Sequence, residues 1–256
     1  MYQVDLNSDL GESFGSYTIG NDASIIPLVS SVNIACGFHA GDPDIMDKTV
    51  SFAIQAGTAI GAHPGYPDLQ GFGRRLLQMT PQEARNAVVY QVGALQAFLR
   101  IHDTALQHIK LHGALYNQAA VSYPLALAIC EGLAKAAPDA ILLGLAGSQM
   151  LRAAQEVGLH TASEVFADRA YQSDGTLVPR TQPGAVLHDP QEAIARTIRM
   201  VQEGVVESVD KKTNPIQADS ICVHGDNASA LAFVKSIRSA FAENQIQVVP
   251  LKWVCR

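Results

Sequence analysis

The sequence predicts an α/β fold, a single-domain β/α barrel of about seven strands, and three observations carry that expectation. Apolar runs rich in β-branched residues alternate with helical patterns along the whole chain, the βαβα order that builds a parallel sheet. Ionisable and amide residues collect where those runs end, and a barrel brings all such ends to one mouth, whereas an open doubly wound sheet spreads them along a line. The length of 256 residues fits one barrel, and no Pro/Gly/Ser-rich or charge-run linker interrupts it, so residues 1–256 read as one unit.

The strands are expected at Val4 to Asn7, Ser31 to Ala35, Ala59 to His63, His108 to His112, Ile141 to Leu145, Thr161 to Val165 and Ser220 to His224. Helices between them have readable starts. Asp42 caps with Pro43 in the first helical position; Thr80, Pro81 and Glu83 form a capping box; Asp189, Pro190 and Glu192 repeat it. Gly57, Gly158 and Gly204 supply stops, since a residue without Cβ takes the left-handed conformation at no steric cost. Two irregular stretches, Gly65 to Met79 and Tyr171 to His188, follow strands and are expected to form lids over the mouth.

Composition excludes several classes. With 48% hydrophobic and 16% charged residues the chain can bury a full core without staples. A net charge of -6, a pI near 5.7 and 6% aromatic residues offer no face for a phosphate backbone, so no nucleic-acid partner is expected. The sequence shows no secretory leader pattern and no long uncharged apolar run, so a cytoplasmic protein without membrane association is expected. Cys36, Cys130, Cys222 and Cys255 are scattered and form no C-x-x-C pair, which suits reduced thiols.

The chemistry lies at the strand ends. In D-L-N-S-D-L-G-E, Asp5, Asn7 and Asp9 share one face of a strand and Glu12 follows in the loop; clustered carboxylates raise one another's pKa, so they point to a base, a cation site or metal ligation. Asn33 and His39 close the second strand, and His63 closes the third. Asp9, His39 and His63 together form a donor set suited to a divalent metal, and equally to anchoring a carboxylate or moving protons. Lys110 and His112 share a face of the fourth strand, with Tyr116 beyond; a lysine pointing into a barrel either stabilises an anion or pairs with one of the early carboxylates. Glu164, Asp168 and Arg169 close the sixth strand ahead of Asp174 and Arg180, and His224 and Asp226 close the seventh, where Asp226 or Asn227 also suits a helix cap. G-F-G-R-R at residues 71–75 is a basic loop able to grip an anion through Arg74, although the chain has no P-loop. Cys36, three residues before His39, is a weaker candidate nucleophile.

These motifs, in this order, resemble the LamB/YcsF family, the A subunits of bacterial 5-oxoprolinase. The likeness runs from D-L-N-S-D-L-G-E through N-I-A-C-G-F-H-A-G-D-P, G-A-H-P-G-Y-P-D, G-F-G-R-R, H-I-K-L-H-G-A-L-Y and E-V-F-A-D-R-A-Y to C-V-H-G-D. The resemblance implies a barrel similar to the glycoside hydrolase/deacetylase group, B and C partner subunits, and ATP as co-substrate in cleaving 5-oxo-L-proline to L-glutamate. On that expectation Asp9 or Glu12, with His39 and His63, activates water or anchors substrate, and Lys110 with Arg74 meets the developing negative charge; His112 stands beside them. Asp5, Asn7, Asn33, Arg74, Tyr116, Glu164, Asp168, Arg169, His224 and Asp226 are the expected substrate-binding residues. Two alternatives stay open: a self-sufficient metal-dependent deacetylase or amidohydrolase, and a non-catalytic scaffold for partner subunits.

Overall fold

The computed structural model describes residues 1–223 and 228–255. The chain opens with β1 (Tyr2–Leu10), a short helix α1 (Asp22–Ile25) and a 3-10 turn (Ile26–Leu28). It then alternates through β2 (Ser31–Ala35), α2 (Pro43–Ala56), β3 (Ala59–His63), α3 (Pro81–Ile101) and β4 (His108–Ile109). Two helices follow, α4 (Gly113–Val121) and α5 (Tyr123–Ala136), then β5 (Ile141–Leu145), α6 (Gln149–Glu156) and β6 (Thr161–Phe166). The last part comprises α7 (Pro190–Glu203), a hairpin of β7 (Val205–Glu207) and β8 (Thr213–Pro215), then β9 (Ser220–Cys222), α8 (Ala228–Glu243), β10 (Ile246–Val248) and α9 (Leu251–Val254).

Seven parallel strands close on themselves in the order β1-β2-β3-β4-β5-β6-β9, with β9 returning to β1, so the expected barrel is present. The long first strand makes closure work by dividing its length among three neighbours. Tyr2 to Val4 pair with β10, Asp5 to Asn7 with β9, and Asn7 to Leu10 with β2. Leu251 of α9 is fully buried against Ile141, Leu143 and Ala162, which puts an apolar plug at the lower end of the barrel.

Most local signals read from the sequence take the forms expected, but at α7 Asp189 caps through Gln191 N at 2.9 Å in place of the expected capping box with Glu192. The Asp42 carboxylate accepts from Ile45 N at 2.9 Å, and Thr80 and Glu83 complete a reciprocal capping box. Gly57 and Gly204 end α2 and α7 at φ of +68° and +65°. Two differences stand out, and one expectation lies outside the described residues. The fourth strand is assigned only to His108–Ile109, although Lys110 N and His112 N still donate to Ala62 O and Pro64 O at 2.9 Å, keeping the next residues aligned with β3. The β7–β8 hairpin and β10 were not anticipated: each strand is three residues long, too short for a period to show. The expected end of the last strand at His224 falls outside the described residues, as does a cap by Asp226 or Asn227. No single helix among the described residues is long and apolar enough to cross a membrane.

Candidate active site

The barrel interior carries polar side chains that bond to one another layer by layer. Asp5, fully buried, accepts from the hydroxyls of Ser30 at 2.6 Å, Ser31 at 2.8 Å and Ser220. Burial pushes its carboxyl up to about 6, against the pull of those three hydroxyls. Above it, Asn7 donates to Glu164 Oε1 at 3.0 Å and Ser220 Oγ at 2.8 Å, and its carbonyl accepts from Asn33 at 2.7 Å. Asn33 also donates to Asp9 Oδ1 at 2.8 Å, and its own oxygen lies 2.6 Å from His108 Nε2. The carboxylates of Glu164 and Asp9, which only accept, thereby orient the two amides.

Lys110 is the hub of the next level. Its Nζ lies 2.9 Å from Asp9 Oδ1 and 2.8 Å from Glu164 Oε1, with Asn7 Oδ1 at 3.3 Å and Cys222 Sγ at 3.2 Å. Burial alone would lower its pKa; the carboxylates of Asp9 and Glu164 outweigh it and hold the ammonium well above the usual lysine value. Of the two expectations for this residue, the structure shows the pairing with an early carboxylate. Its donors are spent within the network, so it pairs with and orients Asp9 instead of facing the cavity. Tyr116 donates to the remaining Glu164 oxygen at 2.7 Å. Glu164 is wholly buried, while 16% of the Asp9 side chain and 11% of the Glu12 side chain stay exposed, so these last two are the carboxylates a solute can reach.

The imidazoles sit at the mouth. His63 Nε2 is 3.4 Å from Asp9 Oδ2 and 3.0 Å from His112 Nδ1; His39 stacks face to face on His112 with centroids 3.6 Å apart, and its Nε2 lies 3.3 Å from Glu12 Oε1. Burial, reinforced by the neighbouring rings, keeps His39 and His112 well below the ordinary histidine value, and burial raises Glu12. Ligand atoms of Glu12, His39, His63 and His112 all lie within 4.8 Å of one another, a group able to hold a metal ion. Relative to the set expected from sequence, Glu12 and His112 join His39 and His63, while Asp9 is engaged by Lys110.

The first expected lid covers these rings. Gly73 has φ +62°, and a Cβ there would stand 2.8 Å from both His112 and His39, so the chain passes directly over the imidazoles. Phe72, itself at φ +54°, faces both rings edge-on and offers its carbonyl to His112 Nε2 at 2.8 Å. A non-glycine residue in this region is held there by its surroundings. Asp68 supplies the restraint by pairing with Arg75 and accepting from Gly71 N at 2.9 Å. Of the two arginines, Arg75 therefore serves the loop, and Arg74 lies exposed at the rim, its guanidinium 5.0 Å from the Phe72 ring.

Other expected residues fall elsewhere. Arg169 donates to Val178 O at 2.6 Å and Ala185 O at 3.3 Å, pinning the second lid segment, and Asp168 O receives Leu187 N at 2.7 Å. Asp5 sits beneath the mouth and is enclosed by serines. His224 and Asp226 lie outside the described residues. Cys36 is buried, donates to Ile34 O at 3.2 Å, and burial pushes its thiol up to about 12, the reverse of an activated nucleophile. Sequence reading missed His108, Ser30, Ser31 and Ser220. The signal for His108 was present, because His108, Lys110 and His112 alternate along one extended segment and so share a face.

A parallel β/α barrel that gathers a lysine-held aspartate, a second reachable carboxylate and three imidazoles beneath a loop at its strand-end mouth is built as an enzyme pocket for a small molecule. The chain belongs to the LamB/YcsF family, whose model matches residues 4–256. It is 55% identical to the 5-oxoprolinase A subunit of Clostridium beijerinckii over 251 residues, 98% of each chain. It is 58% identical to the 5-oxoprolinase A subunit of Limosilactobacillus fermentum over 248 residues, covering 97% of this chain and 99% of that one. The crystal structure of the lactam utilization protein from Thermus thermophilus is similar with a TM-score of 0.91 and 42% identity, covering 96% of this chain and 99% of that one.

Proposed function

We propose that residues 1–256 act as one barrel domain, the A subunit of a cytoplasmic ATP-dependent 5-oxoprolinase that opens 5-oxo-L-proline to L-glutamate together with B and C subunits. The observation that carries this reading is the Asp9 carboxylate, paired with Lys110 and oriented by Asn33 at the open end of the barrel, in a chain more than half identical to subunits of that name.

An unstrained lactam is a poor electrophile. Transfer of the γ-phosphoryl group of ATP to the lactam oxygen, releasing ADP, makes the ring carbon attackable. Water then adds to that carbon as Asp9 takes its proton, and the proton returns to the ring nitrogen as the C–N bond breaks. Hydrolysis of the resulting acyl phosphate yields glutamate and phosphate. Arg74 at the rim meets phosphoryl or carboxylate charge, and Lys110 holds Asp9 in place through both proton transfers. The neutral amide of Asp9→Asn cannot accept a proton, so in the reconstituted three-subunit enzyme this variant should lose at least roughly 100-fold in 5-oxoproline-dependent phosphate release. Full turnover in that variant would remove Asp9 from the mechanism.

One observation favours a second reading, an amidohydrolase that needs a metal and no ATP: the Glu12, His39, His63 and His112 group. Hydrolysis of 5-oxoproline by the isolated chain, without nucleotide and abolished by chelator, would decide for it.

A further inference from the structure

The mouth holds three imidazoles whose hydrogen positions can be assigned one by one. The outer partners of His63 and His112 are carbonyl oxygens, which only accept. His63 Nδ1 lies 2.9 Å from Lys110 O, so Nδ1 carries the hydrogen and the lone pair of a neutral His63 is on Nε2. His112 Nε2 lies 2.8 Å from Phe72 O, so Nε2 carries the hydrogen and the lone pair is on Nδ1. Those two lone-pair atoms are the ones that face each other at 3.0 Å. Two acceptors at that distance repel unless a cation lies between them.

Glu12 completes the corner. Its Oε1 is 3.7 Å from His112 Nδ1, and its ligand atoms fall within 4.8 Å of those of His63. A tetrahedral ion with metal–ligand bonds of about 2.0–2.1 Å has ligands about 3.3 Å apart, and the two measured separations bracket that value. His39 plays a different part from the other two rings. It lies parallel to His112 at 3.6 Å, so an ion in the plane of one ring stands out of the plane of the other. Its Nδ1 is buried against Gly65 without a hydrogen-bond partner, which places the ring hydrogen on Nε2, donating to Glu12 Oε1 at 3.3 Å. That is how an outer residue orients a ligating carboxylate.

The geometry points to a site for one divalent transition-metal ion of the zinc type, bound by His63 Nε2, His112 Nδ1 and a Glu12 carboxylate oxygen, with His39 orienting Glu12. Three protein ligands leave a fourth position open, the pattern of a metal that meets a substrate or a water instead of one that only braces a fold. Asp9 Oδ2, 3.4 Å from His63 Nε2, borders that position. The site deepens, and in its role rests on, the reading of this pocket as the reaction centre, yet its test needs neither ATP nor partner subunits, so the two can fail separately.

The purified full-length chain, stripped with chelator, is titrated with Co²⁺ and Zn²⁺ while metal content and the visible absorption of Co²⁺ are followed. One equivalent with an intense low-symmetry Co²⁺ band, displaced by Zn²⁺, is the expected result. Glu12→Gln keeps the shape and hydrogen-bonding capacity of the side chain and should weaken binding at least tenfold; His63→Ala and His112→Ala should abolish it, with folding checked by circular dichroism. His39→Ala should weaken it roughly 10–100-fold without abolishing it, as loss of an outer partner does. Absence of saturable uptake in the stripped wild-type chain would overturn the site, leaving a shared proton between the two rings. Full uptake in a folded His63→Ala/His112→Ala protein would overturn it equally.

Discussion

Replacing Lys110 with methionine removes the charge while keeping most of the side chain's length and apolar volume. Its ammonium sits 2.9 Å from Asp9 Oδ1 and 2.8 Å from Glu164 Oε1, and only about 2% of the side chain is exposed. Glu164 is left without its cation in a site that has no solvent, and Asp9 in one that has little. Breaking a buried pair from one side costs about 3–5 kcal/mol. In a chain of this size that corresponds to a fall of roughly 10 °C in melting temperature. The partner variant Glu164→Gln removes one of the stranded charges, so Lys110→Met/Glu164→Gln should recover at least about 1 kcal/mol relative to the sum of the single changes, the coupling expected of groups in one network. Urea denaturation of the four proteins at neutral pH measures this cycle, and the reconstituted assay should show lost turnover for Lys110→Met. Strictly additive single changes, or a Lys110→Met protein as stable as the parent, would refute the account of Lys110 as the charge that holds the interior together.

Three further outcomes follow from the same interior. Asp5 titrates at about 6 in the folded chain against 3.8 ordinarily, so between pH 4 and 6 the native state binds more protons than the unfolded state and stability falls as pH rises. The two-unit difference is worth about 3 kcal/mol, and the gap between parent and Asp5→Asn stabilities should change by that order from pH 4 to pH 7; a flat difference would exclude it. A Cβ on Gly61 would overlap the His108 ring, so Gly61→Ala should cost about 1–3 kcal/mol and reduce turnover by displacing the His108–Asn33–Asp9 chain; an unchanged melting temperature contradicts this. Thr80→Ala removes half of a capping box far from the mouth and should cost about 1 kcal/mol in urea denaturation with no change in turnover.

Much of the architecture was legible because its signals are local. Asp42, Thr80 and Gly57 mark helix ends through their own side chains or their lack of one, and the polar strand ends marked the mouth. What stayed hidden depends on distant partners. Nothing near Arg169 reveals that its donors go to Val178 O and Ala185 O, nor does the neighbourhood of Lys110 show that Glu164, 54 positions later, shares it with Asp9. The pairing of β10 with the start of β1 spans nearly the whole chain, and three-residue strands carry no period of their own. His108 is the exception, readable from alternation alone. The choice between Asp9 and Glu12 at the histidines needed coordinates, because both arrive from the same strand and following loop.

The division of β1 among three neighbours also constrains assembly in time. Its partners β9 and β10 are synthesised long after it, so until both have emerged β1 lacks two of its three neighbours and the barrel cannot close. Nascent chains stalled before that point should engage holding chaperones, and the seam between first and last strands is where strand exchange between copies would begin.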